Sequence, residues 1–249
     1  MTTYGDIRRL FAAAGTAPAP ADPDGGARRR VVSAFEEDLL AVSTLTVRMG
    51  GRAEDLVATA LGAAERRDSG AAEAAEAGAR ALYALERKLA ERATAVLALR
   101  QPMAADLRML LASMRVATSL KRIGGLARDV AARGATLGPG RPHDASASVL
   151  RLGRGALGQL SEALSAHQAR DAGRALAVAR RDRALDALCE SLMGALVRRM
   201  AEEPATVGEG AQWLFVTKNL ERIGDHAAGI ARATHYMVAG REIDDAPAA

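Results

Sequence analysis

One short frame is written twice in this chain. Leu120-Lys121-Arg122-Ile123-Gly124 returns one hundred residues later as Leu220-Glu221-Arg222-Ile223-Gly224. A frame recurring at so long a spacing points to a duplicated helical domain. The two copies differ where chemistry would sit. In the second, Glu221 is followed four residues on by Asp225, and this spacing puts both carboxylates on one face of a helix. In the first, Lys121 and Gly125 occupy the same places, so the duplication keeps an anionic pair in one half only.

The rest of the chain supplies the helices such a duplication needs. Ala, Leu, Arg and Glu dominate and aromatic residues make up only 3%, the usage of long packed helices. Residues 1–27 read as a flexible tail, since the run from Ala17 to Gly26 is too rich in Pro and Gly to hold a helix. From about Arg29 the apolar spacing turns helical, with Phe35, Leu39, Val42, Leu45, Met49, Leu56 and Leu61 on one stripe; Gly50-Gly51 lies inside that helix as a weak point. Asp68-Ser69-Gly70 breaks it, with Ser69 as candidate cap of a second helix striped by Leu82, Leu85, Leu89, Ala93 and Val96. Arg100-Gln101-Pro102 ends the second helix, and Pro102 suits the first turn of a third that carries Leu107, Leu110, Leu111, Met114, Leu120 and Ile123. Residues 134–144 have linker composition. A fourth helix runs from about Ala145, a fifth from near Asp171 to about Ala201, and a sixth from about Glu209 to Val238, with Glu202-Glu203-Pro204 between the last two. The expected fold is all-α: two antiparallel three-helix bundles built from six long helices, one over residues 28–134 and one over 145–240.

Composition narrows the function classes. No apolar run reaches the about 18 residues a membrane-spanning helix needs, and Asp6, Arg8 and Arg9 interrupt any signal core, so a cytoplasmic protein is expected. The lone Cys189 excludes an internal disulfide and, in an apolar helical stretch, reads as a buried thiol. The pI of 9.7 raises the possibility of nucleic-acid binding. However, acids and bases alternate along the helices, as in Glu65-Arg66-Arg67-Asp68, and that pattern belongs to a solvated face. No nucleic-acid partner is expected.

The fifth helix offers a second carboxylate pair, Asp182 and Asp186. A turn near Pro204 would pack the fifth and sixth helices antiparallel. Asp186 and Glu221 stand at nearly equal distance from it, about 25 Å along each helix at about 1.5 Å per residue. Two level pairs on neighbouring helices converge, and four like charges do not gather without protons or a cation. Asp182, Asp186, Glu221 and Asp225 are therefore the candidate metal ligands, an oxygen-rich set suited to Mg, Mn, Ca or iron. The competing reading pairs each acid with Arg183, Arg222 or another arginine. The corresponding first-half positions, Ala79, Tyr83, Lys121 and Gly125, offer no such set, and Lys121 would stand in for a cation. His143, His167 and His235 lie in the linker or near helix ends, where a partly exposed histidine is common. His226 points away from the acid face. No Glu-x-x-His, phosphate-cradling glycine loop or nucleophile–base arrangement is present, so no enzyme activity is expected.

These residues resemble the PhoU family of phosphate-transport accessory regulators. Phe35-Glu36-Glu37-Asp38-Leu39 followed by Met49-Gly50 is similar to the family's opening helix. Arg100-Gln101-Pro102-x-Ala104-x-Asp106-Leu107-Arg108 resembles its first-half motif. Asp182-x-x-x-Asp186 with Leu220-Glu221-Arg222-Ile223-Gly224-Asp225 resembles its second-half acidic motifs. The resemblance spans residues 30 to 240. It implies two bundles related by a pseudo-twofold and a metal ion or cluster (iron, zinc, manganese or magnesium) at the acidic motifs. It further implies a cytoplasmic homodimer that meets the membrane only through its partners, the phosphate transporter ATPase subunit and the phosphate-sensing histidine kinase. The implied role is restraint of phosphate uptake and of the phosphate-starvation response. The first half departs from the family pattern at Lys121 and Gly125, which leaves a diverged paralogue serving another transporter or signalling system as an alternative; a second alternative, a carboxylate-bridged metalloenzyme, rests on the four acids of the second half.

Overall fold

A computed structural model describes residues 25–68, 70–137 and 144–243. Helix α1 spans Gly25–Arg66, α2 Gly70–Arg100, α3 Ala104–Thr136, α4 Asp144–Ala169, α5 Ala172–Arg180, α6 Asp182–Glu202 and α7 Val207–Ala239, with a 3-10 turn at Pro204–Thr206. No strand occurs among the described residues. The order is three long helices, a connection, and three more, as expected for a duplicated bundle. The fifth of these is broken once, at Arg181, into α5 and α6. Residues up to Glu36 form a separate N-terminal unit, and the body described below begins at Glu37. Most of the expected tail, Ser69, and His143 lie outside the described residues.

The apolar stripes are the core. Val42, Met49, Leu82, Leu89, Leu110, Leu120, Ile123, Leu160, Leu220 and Ile223 are fully or almost fully buried. α1 runs unbroken through Gly50-Gly51. At Gly50 an added Cβ would press on Leu164 of α4, so this glycine serves close packing. α7 is the central helix and packs against α3, α4, α5 and α6, and α2 lies along α3. The third helices of the two halves thus lie together, and each carries its copy of the Arg-Ile-Gly frame.

Three boundaries differ from expectation, the first being that α1 begins at Gly25, inside the stretch expected to belong to the tail. Pro102 does not sit in the first turn of α3, which starts at Ala104 behind Met103. The chain turns through left-handed backbone at Gln101 (φ 47°) and Ala104 (φ 48°), and this reversal uses the residues on which a Pro-led first turn would have formed. Asp171 does begin the second bundle's middle helix, but as its cap, accepting a hydrogen bond from the Arg174 N–H at 2.9 Å.

Residues of the sequence motifs fasten helix ends. Asp38 accepts from Arg92 (2.6 Å) and from Arg100 (3.4 Å), which ties α1 to the end of α2. Arg108 donates from Nε to the carbonyl of Met237 at 3.5 Å, placing a cation at the C-terminus of α7. That helix ends on Gly240 in the left-handed region (φ 72°).

Candidate metal centre

The site is set by how α6 meets α7. Leu185, between Asp182 and Asp186, fills a notch at Gly224, where an added Cβ would overlap Leu185 Cδ2. This brings the two helices close and puts Asp182 and Asp186 opposite Glu221 and Asp225. The first half has the same lock, since a Cβ on Gly124 would come to 2.7 Å from Leu82 Cδ1. The two halves therefore share one packing device and differ in what surrounds it.

Carboxylate oxygens of Asp182, Asp186 and Asp225 lie within 4.8 Å of one another. Glu221 stands just outside that triangle. Its Oε1 accepts from Lys218 Nζ at 2.7 Å, while its Oε2 is buried without any hydrogen-bond partner. Asp182 is buried; its Oδ1 accepts from Gln159 Nε2 at 3.2 Å, and Oδ2 lies 3.6 Å from Arg232 Nη2. Asp186 and Asp225 have no ion pair among the described residues, and neither Arg183 nor Arg222 pairs with any of the four acids. The competing reading holds only for Arg232 with Asp182; Lys218 adds a lysine pair with Glu221, and four carboxylates facing two cations leave uncompensated negative charge.

The electrostatics register that surplus. Burial pushes the Asp225 carboxyl up to about 6, with the charges of Glu221, Asp182 and Asp186 adding to the rise and Lys218 opposing it. Asp182 is also raised, again chiefly by burial, while the Gln159 hydrogen bond and Arg232 pull it down. An orphaned buried carboxylate oxygen beside three converging carboxylates and surplus negative charge fits a cation held by oxygen donors. Asp182, Asp186 and Asp225 would hold it; Glu221 is not in that group, and its Oε2 is buried without a hydrogen-bond partner.

The first half solves the same problem with a side chain. Lys121 Nζ lies 2.7 Å from Glu86 Oε1 and 5.6 Å from the centre of the Tyr83 ring. Sequence reasoning identified Lys121 as the cation and missed its partner. The signal was available: with Leu82 aligned to Leu185, Glu86 falls opposite Cys189. Above Gly125 the space is open, with no atom within 4 Å of where a Cβ would stand.

The histidines do not join the acids. His226 is half-buried, and burial lowers its pKa along with the charges of Arg222 and Arg122. His167 is partly exposed, as expected near a helix end, whereas His235 is buried. His235 is 8% exposed, with Nδ1 3.2 Å from the Arg241 carbonyl. His167 Nδ1 lies 3.0 Å from Thr234 Oγ1.

A duplicated six-helix architecture with an acidic cluster in one half defines the class of protein, and comparison with known proteins gives the family. The PhoU domain model matches residues 46–134 and 149–234. The phosphate-specific transport system accessory protein PhoU homolog of Caulobacter vibrioides is 37% identical over 213 residues, covering 85% of this chain and 93% of that protein. The homolog of the same name from Rhizobium meliloti is 36% identical, covering 85% and 90%. The crystal structure of PhoU from Pseudomonas aeruginosa superposes with a TM-score of 0.80 at 33% identity, covering 83% of this chain and all of that one. The chain belongs to the PhoU family.

Proposed function

We propose that this chain is an accessory regulator of a phosphate-specific transport system. It restrains phosphate uptake and the phosphate-starvation response when phosphate is plentiful, and it acts by binding partners rather than by catalysis. One observation carries the reading: relatives named as phosphate-specific transport accessory proteins align along nearly their whole length, 93% in the Caulobacter vibrioides case. The partners follow from the family resemblance: the transporter's ATPase subunit and a phosphate-sensing histidine kinase. A cytoplasmic homodimer that meets the membrane through its partners is what the family resemblance implies; among the described residues no helix is long and apolar enough to cross a membrane. The acidic centre of the second half holds a divalent or trivalent ion that neutralises Asp182, Asp186, Glu221 and Asp225 and fixes α6 against α7.

A chromosomal deletion tests this. Phosphate-starvation genes are expected to be expressed in phosphate-rich medium without the protein, and tagged protein is expected to retain the ATPase subunit and the kinase. Reporters that stay repressed, with neither partner retained, would favour a diverged paralogue serving another system. The observation behind that second reading is the Lys121–Glu86 pair at 2.7 Å, where the other half has acids.

A further inference from the structure

We propose that a cavity where the two halves meet binds free phosphate: Arg170 and the hydroxyls of Ser43 and Ser113 donate to its oxygens, and His167 accepts a hydrogen bond from its P–OH group. The cavity measures about 50 Å³ and shares no residue with the acidic centre. Its polar wall is Ser43 from α1, Ser113 from α3, His167 and Gln168 from the end of α4, and Arg170 just beyond that helix; the rest of the wall is apolar. No carboxylate lines it. At about 10–15 Å³ for each water-sized group, the space admits about three to five non-hydrogen atoms, the size of one tetrahedral oxyanion.

The polar groups of this wall are not spent on the protein. Among the described residues, the side chains of Ser43, Gln168 and Arg170 have no hydrogen bond or ion pair. Ser113 donates only to the thioether of Met109, at 3.6 Å, a weak acceptor. Arg170 ends α4 in left-handed backbone (φ 51°), where glycine is the ordinary residue, and its charge reaches His167. His167 decides among anions. The Thr234 hydroxyl donates to the Ile230 carbonyl at 2.9 Å, so it accepts from His167 Nδ1–H at 3.0 Å. This leaves Nε2 as an acceptor without a partner among the described residues. Burial and then Arg170 lower the ring to about 4, so it stays neutral at neutral pH. Phosphate still carries a P–OH proton there to meet the Nε2 lone pair. Sulfate carries none and would set an oxygen lone pair against it. A site built to hydrogen-bond a hydroxyl discriminates against an analogue that lacks it.

Equilibrium dialysis of the full chain against radiolabelled inorganic phosphate at neutral pH provides the test. Wild type is expected to bind phosphate at millimolar concentration, with unlabelled sulfate competing at least about ten-fold less well than unlabelled phosphate. Arg170→Gln removes the charge and Ser43→Leu fills the cavity; each should lower phosphate affinity at least about ten-fold. Neither position is buried, and circular dichroism checks that both variants are folded. Wild type that retains no phosphate at millimolar concentration, or affinity unchanged in both variants, would overturn the site. Sulfate competing as well as phosphate would overturn the acceptor role of His167 and with it the assignment of phosphate.

Discussion

At Asp225 the fold works against ionisation. Its carboxyl titrates at about 6 in the folded chain against 3.8 in an ordinary setting. The folded state therefore binds the proton more tightly than the unfolded one, and the cation-free protein carries a stability cost that is full above pH 6 and fades as pH falls toward 3.8. Asp225→Asn is expected to raise the melting temperature of the cation-free protein above pH 6, to change it little in acid, and to weaken the stabilisation given by added zinc; thermal unfolding across pH checks all three. His167 works in the opposite sense. Thr234 donates its hydroxyl proton to the Ile230 carbonyl at 2.9 Å, so it accepts from His167 Nδ1–H and fixes that neutral tautomer. Burial, aided by Arg170, lowers this histidine from 6.5 to about 4. Its contribution is complete above pH 6.5 and is lost as pH falls toward 4. The loss is at most about 3–4 kcal/mol, at about 1.4 kcal/mol per pK unit. His167→Gln should flatten that acid limb, measured by denaturant unfolding over the same range.

Among the elements, the seam between α6 and α7 is the part on which the site depends. Gly224→Ala places a methyl group against Leu185 and should cost about 1–3 kcal/mol through overpacking. It should also weaken cation binding, because the two helices that carry the acids are pushed apart. Gly51→Ala is the contrasting case: the position is exposed, with no atom within 4 Å of the new Cβ, and the change should stabilise α1 by about 0.5–1 kcal/mol. Denaturant midpoints of the two variants, with cation titrations, test both. The helices were legible because apolar stripes, Asp171 and Pro204 are local signals. The level placement of Asp186 and Glu221 was legible because it needs only the helical rise and one turn. Lys218 was within reach as an i, i+3 partner of Glu221. Gln159 and Arg232 were not, since they arrive from α4 and from farther along α7 through tertiary packing. The break at Arg181 carries no glycine or proline mark, whereas the stop at Arg100-Gln101-Pro102 was legible from its proline. Glu86 was legible but missed: aligning Ala79 and Tyr83 with Asp182 and Asp186 already places it at the Cys189 position, within reach of Lys121 on the neighbouring helix.

The molecule as a whole is a duplication whose halves kept one packing scheme and divided the electrostatics. In the first half an ammonium is built in, paired with Glu86 and independent of the medium. In the second, Lys218 and Arg232 pair with only two of the four acids, and under the proposed function an external ion supplies the rest of the positive charge. This asymmetry accounts for conflicting sequence signals: the motifs of the PhoU family with acids missing from one repeat. Metal content after equilibrium dialysis against zinc, on the full chain and two variants, tests the central claim most directly. Wild type and the first-half variant Lys121→Ala should take up the same amount of zinc, and Asp182→Ala/Glu221→Ala should take up little or none. Equal uptake by wild type and Asp182→Ala/Glu221→Ala, or a loss of uptake in Lys121→Ala alone, would contradict the account.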